Sequence, residues 1–172
     1  MASGSALNAG ERQASFSLAA IFSLRFLGLS MIYPVFALYA DRLPGATAFT
    51  IGVALGIDGL TQALLQLPFG IWSDRIGRRP VILAGLLLFA AGSVVAALAT
   101  DIWGVILGRA LQGTGAVGAV ILALLADLTR EEQRTRGMAI VGVSIGLSFA
   151  LGVVAGPLLD RWIQLSGIFW FM

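Results

Sequence analysis

Apolar stretches long enough to cross a bilayer follow one another along the chain, and this serial repetition restricts the fold more than any other feature. A hydrocarbon core about 30 Å thick needs roughly 20 apolar helical residues. The sequence supplies such runs at about Phe16–Ala40, Thr50–Trp72, Pro80–Ala99, Trp103–Leu125 and Gly137–Leu159. A sixth run restarts at Trp162 and ends at Met172, after about half the length a span requires. The expected fold class is therefore all-α and integral to a membrane, with five full transmembrane helices plus the start of a sixth, and the chain reads as a fragment.

Composition agrees, since 58% of residues are hydrophobic and 12% charged, whereas soluble domains carry about 25% charged residues. All eleven basic residues are Arg, and His and Cys are absent. Disulfides, thiolate metal sites, Cys nucleophiles and His acid–base chemistry are thereby excluded, and any group titrating near neutrality is a carboxylate. The net charge of +2 is spread without a continuous basic face, which argues against nucleic acid as a partner. No metal-ligand cluster, nucleophile–base pair or G-x-x-x-x-G-K-[ST] phosphate loop is visible, so neither an enzyme nor a primary ATP-driven pump is expected.

Arg distribution fixes an orientation. Arg12, Arg75, Arg78, Arg79, Arg130, Arg134 and Arg136 fall on one side of the spans, Arg42 and Arg161 on the other, and Arg25 and Arg109 within them. The amino terminus is expected in the cytoplasm, with residues 1–15 an uncleaved, disordered tail and residues 16–172 a truncated transmembrane domain. Membrane lipid is the implied surrounding. Glycines four residues apart, Gly52/Gly56, Gly104/Gly108, Gly142/Gly146 and Gly152/Gly156, suggest close helix packing.

The most charged short segment, Gly70-Ile-Trp-Ser-Asp-Arg-Ile-Gly-Arg-Arg-Pro80, joins the second and third spans as a tight cytoplasmic loop. Gly77 permits the turn, and Pro80 suits the first turn of the next helix. Asp74 lies among Arg75, Arg78 and Arg79, with Asp127 at the end of the fourth span as a further partner. A plain positive-inside anchor is the alternative reading.

The pattern of Gly70, Asp74-Arg75 and Gly77-Arg78-Arg79 resembles the signature loop of the major facilitator superfamily. Three further matches follow the same order. Leu29 with Pro34-Val35 resembles the first-span proline motif of its drug/proton antiporters, and Arg109, Gln112, Gly113 and Gly115 match R-x-x-Q-G-x-G. Gly152, Gly156 and Pro157 match the start of G-x-x-x-G-P-x-x-G-G, although Asp160-Arg161 replaces its closing Gly-Gly and Trp72 replaces a Leu of the loop motif. The resemblance implies the amino-terminal helical bundle of the facilitator fold. It also implies a missing carboxy-terminal half, with the substrate bound between the two halves. It further implies a latch in which Asp74, Arg78 and Asp127 hold the cytoplasmic gate closed.

Charges inside spans are an independent signal, because Asp or Arg at a helix centre costs about 2.5–3.5 kcal/mol. At about 1.5 Å per residue, Asp58 lies roughly 12 Å and Arg109 roughly 9 Å from the outer side, and Arg25 roughly 14 Å from the inner side. The three are expected to reach one central polar cavity. Asp58, Thr61, Gln62 and Gln66 share a face of span two, and Arg109 and Gln112 a face of span four. A structural ion pair is the alternative. In the functional reading Asp58 is protonatable, with burial and the Arg charges acting on it in opposite senses.

These observations together predict a secondary active transporter, with proton-coupled efflux of small molecules or drugs by alternating access. No cofactor is expected, and a proton gradient supplies the energy. The setting implied is the bacterial inner membrane. The competing class is a truncated, non-transporting membrane module, or a half-transporter subunit that needs a second half.

Overall fold

The computed structural model describes residues 7–172, apart from the side chains of 37–39, 161, 163–165 and 171. Six helices follow in order: α1 (Ala9–Tyr39), α2 (Ala48–Ile76), α3 (Arg78–Leu98), α4 (Ile102–Thr114), α5 (Gly118–Leu128) and α6 (Glu131–Phe171), with a short 3₁₀ turn at Ala40–Arg42. Among the described residues, five segments are long and apolar enough to cross a membrane: Ala9–Phe36, Ala48–Ile76, Arg78–Leu98, Ile102–Leu128 (α4 with α5) and Glu131–Asp160.

Helix starts follow local chemistry. Asn8 caps α1 by accepting from the Glu11 amide at 2.8 Å, and Glu11 returns a bond from the Asn8 amide at 2.8 Å. This reciprocal capping box makes residues 9–15 the opening turns of a helix, so the tail expected to Ser15 is displaced over that stretch. Residues 1–6 lie outside the described residues. Thr47 and Thr50 cap α2 in the same reciprocal way, and Asp101 caps α4 by accepting from the Gly104 amide at 2.8 Å.

The expected loop from Gly70 to Pro80 is almost entirely helical. Gly70–Ile76 form the last turns of α2, and Arg78–Pro80 begin α3. Gly77 alone joins them, with φ +98° and ψ 151°, a region of backbone space essentially reserved for glycine. The charged stretch Asp127–Arg136 also shrinks as a loop, because α6 begins at Glu131.

The single fourth span expected from Trp103 to Leu125 is broken at Gly115–Val117. Gly115 presses on Gly85 and Phe89 of α3. The interrupted backbone is buried in protein, with Ala116 and Val117 fully covered, and irregular backbone at membrane depth is tolerated in such surroundings.

α6 doubles back on itself. Gly156 contacts the Met31 backbone, whereas Met172 reaches Gly28. A straight helix from Gly156 to Met172 would advance roughly 24 Å, yet Met31 and Gly28 are less than one turn apart on α1. Ile168 and Phe169 re-enter the core beside Met31, Ile32 and Val35. The run restarting at Trp162 is thus the last stretch of α6, bent back toward α1 as the start of a sixth span.

Small residues set the closest approaches. A Cβ on Gly152 would collide with Ser30, and one on Gly156 with the Met31 carbonyl, so α6 lies directly on α1. Gly108 meets Ala96 of α3, and Gly113 meets Asp58 and Thr61 of α2. The expectation fails for Gly52, Gly56, Gly142 and Gly146, around which a Cβ would meet nothing within 4 Å. These glycines lie on faces of α2 and α6 that turn away from the bundle. Four-residue spacing reveals a smooth helix face but not what covers it.

The core is layered. One apolar cluster gathers Val35, Phe36, Ala54, Ala97, Ile102 and Val105, and another gathers Leu18, Phe69, Ile82, Val117, Ile121 and Leu125. Between these clusters α1, α2, α3, α4 and α6 each place at least one polar side chain. Arg25, Asp58, Ser93, Arg109, Gln112 and Ser148 are all buried there.

Candidate functional site

Arg109 occupies the centre of this belt with 1% of its surface exposed. Its Nη2 donates to Asp58 Oδ1 at 2.6 Å, its Nε to the Ala54 carbonyl at 3.2 Å and its Nη1 to Gln112 Oε1 at 3.1 Å. Gln112 Nε2 in turn donates to Ser93 Oγ at 2.8 Å, and Ser93 Oγ to the Phe89 carbonyl at 3.0 Å. The chain of bonds runs from α2 through α4 to α3. Thr61 adds a strut from α2 to α4 by donating to the Ala110 carbonyl at 3.0 Å.

This network is satisfied by its own members. Asp58 and Arg109 touch one another with 5% and 1% exposure, rather than facing an open cavity as the sequence suggested. Close contact follows from the missing side chain at Gly113, which lets α4 settle onto Asp58 and Thr61. Removing either charge would leave the other buried and uncompensated, which typically costs 3–5 kcal/mol.

Arg25 stands at the edge of the belt. Its Nη2 makes a long contact of 3.5 Å to Gln62 Oε1, its guanidinium lies 5.1 Å over the Phe89 ring, and its buried Nε has no hydrogen-bond partner. Gln66 does not join. It borders a surface depression of about 540 Å³ with Gly70 and Asp74, because two helical turns separate it from Asp58. A shared face on a helix did not make a shared site.

A second ionic cluster lies at the end of the bundle that holds Gly77. Arg78 pairs with Asp74 on α2 and donates through Nε to Asp127 Oδ2 on α5 at 3.1 Å and through Nη1 to Ser73 Oγ at 2.7 Å. One guanidinium therefore links two helix connections. The Asp74 and Asp127 side chains are 62% and 55% exposed, so water competes for these bonds. Arg75 and Arg79 are exposed beside the cluster.

The sequence reading missed Glu11. Its carboxylate is 96% covered and accepts from the Arg130 amide at 3.0 Å, from Arg130 Nε at 2.8 Å and from Arg130 Nη2 at 3.0 Å. These bonds, aided by the opposite charge, hold the Arg130 guanidinium above its ordinary range. The available signal was Asn8-x-x-Glu11 directly before an apolar run, a capping box that marks a helix start.

Pro34 lies inside α1 and Pro157 inside α6. Gly113, Gly115, Gly152 and Gly156 all sit at close helix contacts.

A family model described as Major Facilitator Superfamily matches residues 18–172. The chain is 55% identical over 163 residues to the inner membrane transport protein YajR of Escherichia coli (strain K12), covering 95% of this chain and 36% of that protein. It is 43% identical over 164 residues to the uncharacterized transporter BU466 of Buchnera aphidicola, covering 95% and 42% respectively. It is 36% identical over 152 residues to the class E tetracycline resistance protein of Escherichia coli, covering 87% and 36%. The chain thus spans well under half the length of these relatives.

Proposed function

The chain belongs to the major facilitator superfamily, and on that premise we propose that it is the amino-terminal part of a proton-coupled exporter of small molecules. Transport proceeds by alternating access against a carboxy-terminal half, in a multi-pass bacterial inner membrane, with the proton gradient as the energy source. The observation that carries this reading is the bridge from Arg78 to both Asp74 and Asp127. It ties two helix connections at one end of the bundle through exposed ionic bonds that break and re-form without unfolding a helix. In this reading the cluster is a latch that favours one conformation and is left unpaired in the other. Export is supported by the likeness to proteins named for tetracycline resistance.

The end of the bundle holding the latch carries Arg75, Arg78, Arg79, Arg130, Arg134 and Arg136, which supports a cytoplasmic amino terminus. Asp58 is the proposed coupling carboxylate. Its pairing with Arg109 means that a proton arriving on Asp58 releases a buried guanidinium, so the opening of the belt and protonation are linked.

The test is flux in proteoliposomes, using a two-half protein that contains this chain and a panel of small hydrophobic and cationic substrates. An imposed proton gradient is expected to drive uptake into inverted vesicles, and Asp58→Asn to abolish the pH dependence. Unchanged proton-driven flux in Asp58→Asn removes Asp58 as the coupling site. A folded protein without flux leaves the alternative of a membrane module.

A further inference from the structure

The turn between α5 and α6 is held from two sides. Asp127, at the end of α5, is bonded to Arg78. Three residues later Arg130 is bonded to Glu11 at the start of α1 by its backbone amide and by two guanidinium nitrogens. Arg130 is the cap of α6 yet supplies no side-chain cap of its own. The Glu11 carboxylate instead accepts from the Arg130 amide from another helix, putting a negative charge beside the start of α6, where the helix dipole is positive.

Glu11 is itself immobilised. Its Oε2 accepts from the Asn8 amide at 2.8 Å as half of the α1 capping box, and its carbonyl accepts from Ser15 Oγ at 2.8 Å. With 4% exposure the carboxylate is shielded from the water that weakens the Arg78 bonds. With three bonds to one carboxylate and only its Arg130 side half exposed, the clasp is the firmer of the two ties on the turn.

We propose that Glu11 is a positioning residue for the Arg78–Asp127 pair: by clamping Arg130 it fixes the turn that carries Asp127 and so sets how readily that pair forms. The inference rests on the latch reading of that pair. Breaking the clasp frees the turn to drift from α2 and α3, while the helices themselves stay folded.

Spin labels test this directly, because the chain contains no Cys. Ile76→Cys at the end of α2 and Thr135→Cys on α6 are both exposed. Double electron–electron resonance on the chain in lipid nanodiscs reads the distance between them. With Glu11 intact a narrow distribution is expected, and Glu11→Gln should widen it at least twofold at unchanged helix content. Arg130→Gln, a change at a half-exposed side chain, should do the same and stands in if Glu11→Gln does not fold. Arg130→Lys, which keeps the backbone bond and the charge, should restore most of the narrow component.

Arg78→Gln reports on the latch alone, and its failure to widen the distribution would sink the latch reading. Combined with Glu11→Gln it should add no further width, since both act on one link. An unchanged width in both Glu11→Gln and Arg130→Gln, or fully additive widening in the double variant, overturns the positioning role.

Discussion

Arg78 holds Asp127 at 3.1 Å across 49 residues of sequence, while the same guanidinium pairs with Asp74 across the Gly77 turn. Both carboxylates are more than half exposed, so the pairing contributes little to folding, about 0.2–1 kcal/mol per pair. Arg78→Gln should lower unfolding stability in detergent by no more than about 1 kcal/mol. In a two-half protein, however, a bias of that size shifts a two-state equilibrium about fivefold. The expected outcome is a nearly unchanged melting curve with a clearly altered rate of labelling at a Cys placed beside the pair.

The central pair behaves in the opposite way. Asp58 and Arg109 are both buried at 2.6 Å, and Asp58→Leu alone should destabilise the chain by about 3–5 kcal/mol by stranding the guanidinium. Asp58→Leu with Arg109→Met should recover most of that loss, as apolar replacements of buried pairs often do. Denaturant unfolding followed by circular dichroism checks both; equal losses in the single and double variants would refute the pairing argument.

Glycine substitutions divide by environment. Gly113→Ala and Gly152→Ala place a methyl group into Thr61 and Ser30 respectively, and about 1–3 kcal/mol of overpacking is expected at each. Gly56→Ala and Gly146→Ala meet open space and should be neutral or stabilising, by up to about 1 kcal/mol from helix propensity. Thermal unfolding of the four variants in one detergent gives the comparison.

Gly77→Ala should destabilise by about 1–3 kcal/mol through backbone strain, because its φ of +98° is unfavourable for any residue bearing a Cβ. Space is not the cause, since the nearest atom to an added Cβ is Pro80 Cδ at 3.7 Å. Gly77→Asn should lose about as much, because the tolerance of Asn for positive φ is confined to the left-handed helical region and ψ 151° lies outside it; a clearly smaller loss for Asn would point to a different origin.

Much of this architecture was legible in the chain because its signals are local. Apolar run length located five spans, and Gly77 announced a helix end through backbone freedom. Boundaries drifted where a polar residue could extend a helix, as at Asn8 and at Glu131. The break at Gly115 was invisible, since it depends on how closely α4 meets α3. Gln66 fell away from Asp58 because helix periodicity gives a direction around the axis but no information about depth or neighbours.

By itself the sequence determined that the chain is a helical membrane protein, that its charged motif joins the second and third spans, and that Arg25, Asp58 and Arg109 sit among apolar residues. These follow from hydrophobic run length and from the cost of burying charge, both properties of a single segment. Tertiary structure alone decided that Arg109 takes Asp58 while Arg25 turns to Gln62 and Phe89, and that Glu11 holds Arg130, the residue before a helix beginning 120 residues later. Partner choice depends on which backbones approach closely enough, and at Gly113 and Gly152 that approach is set by atoms from two helices at once.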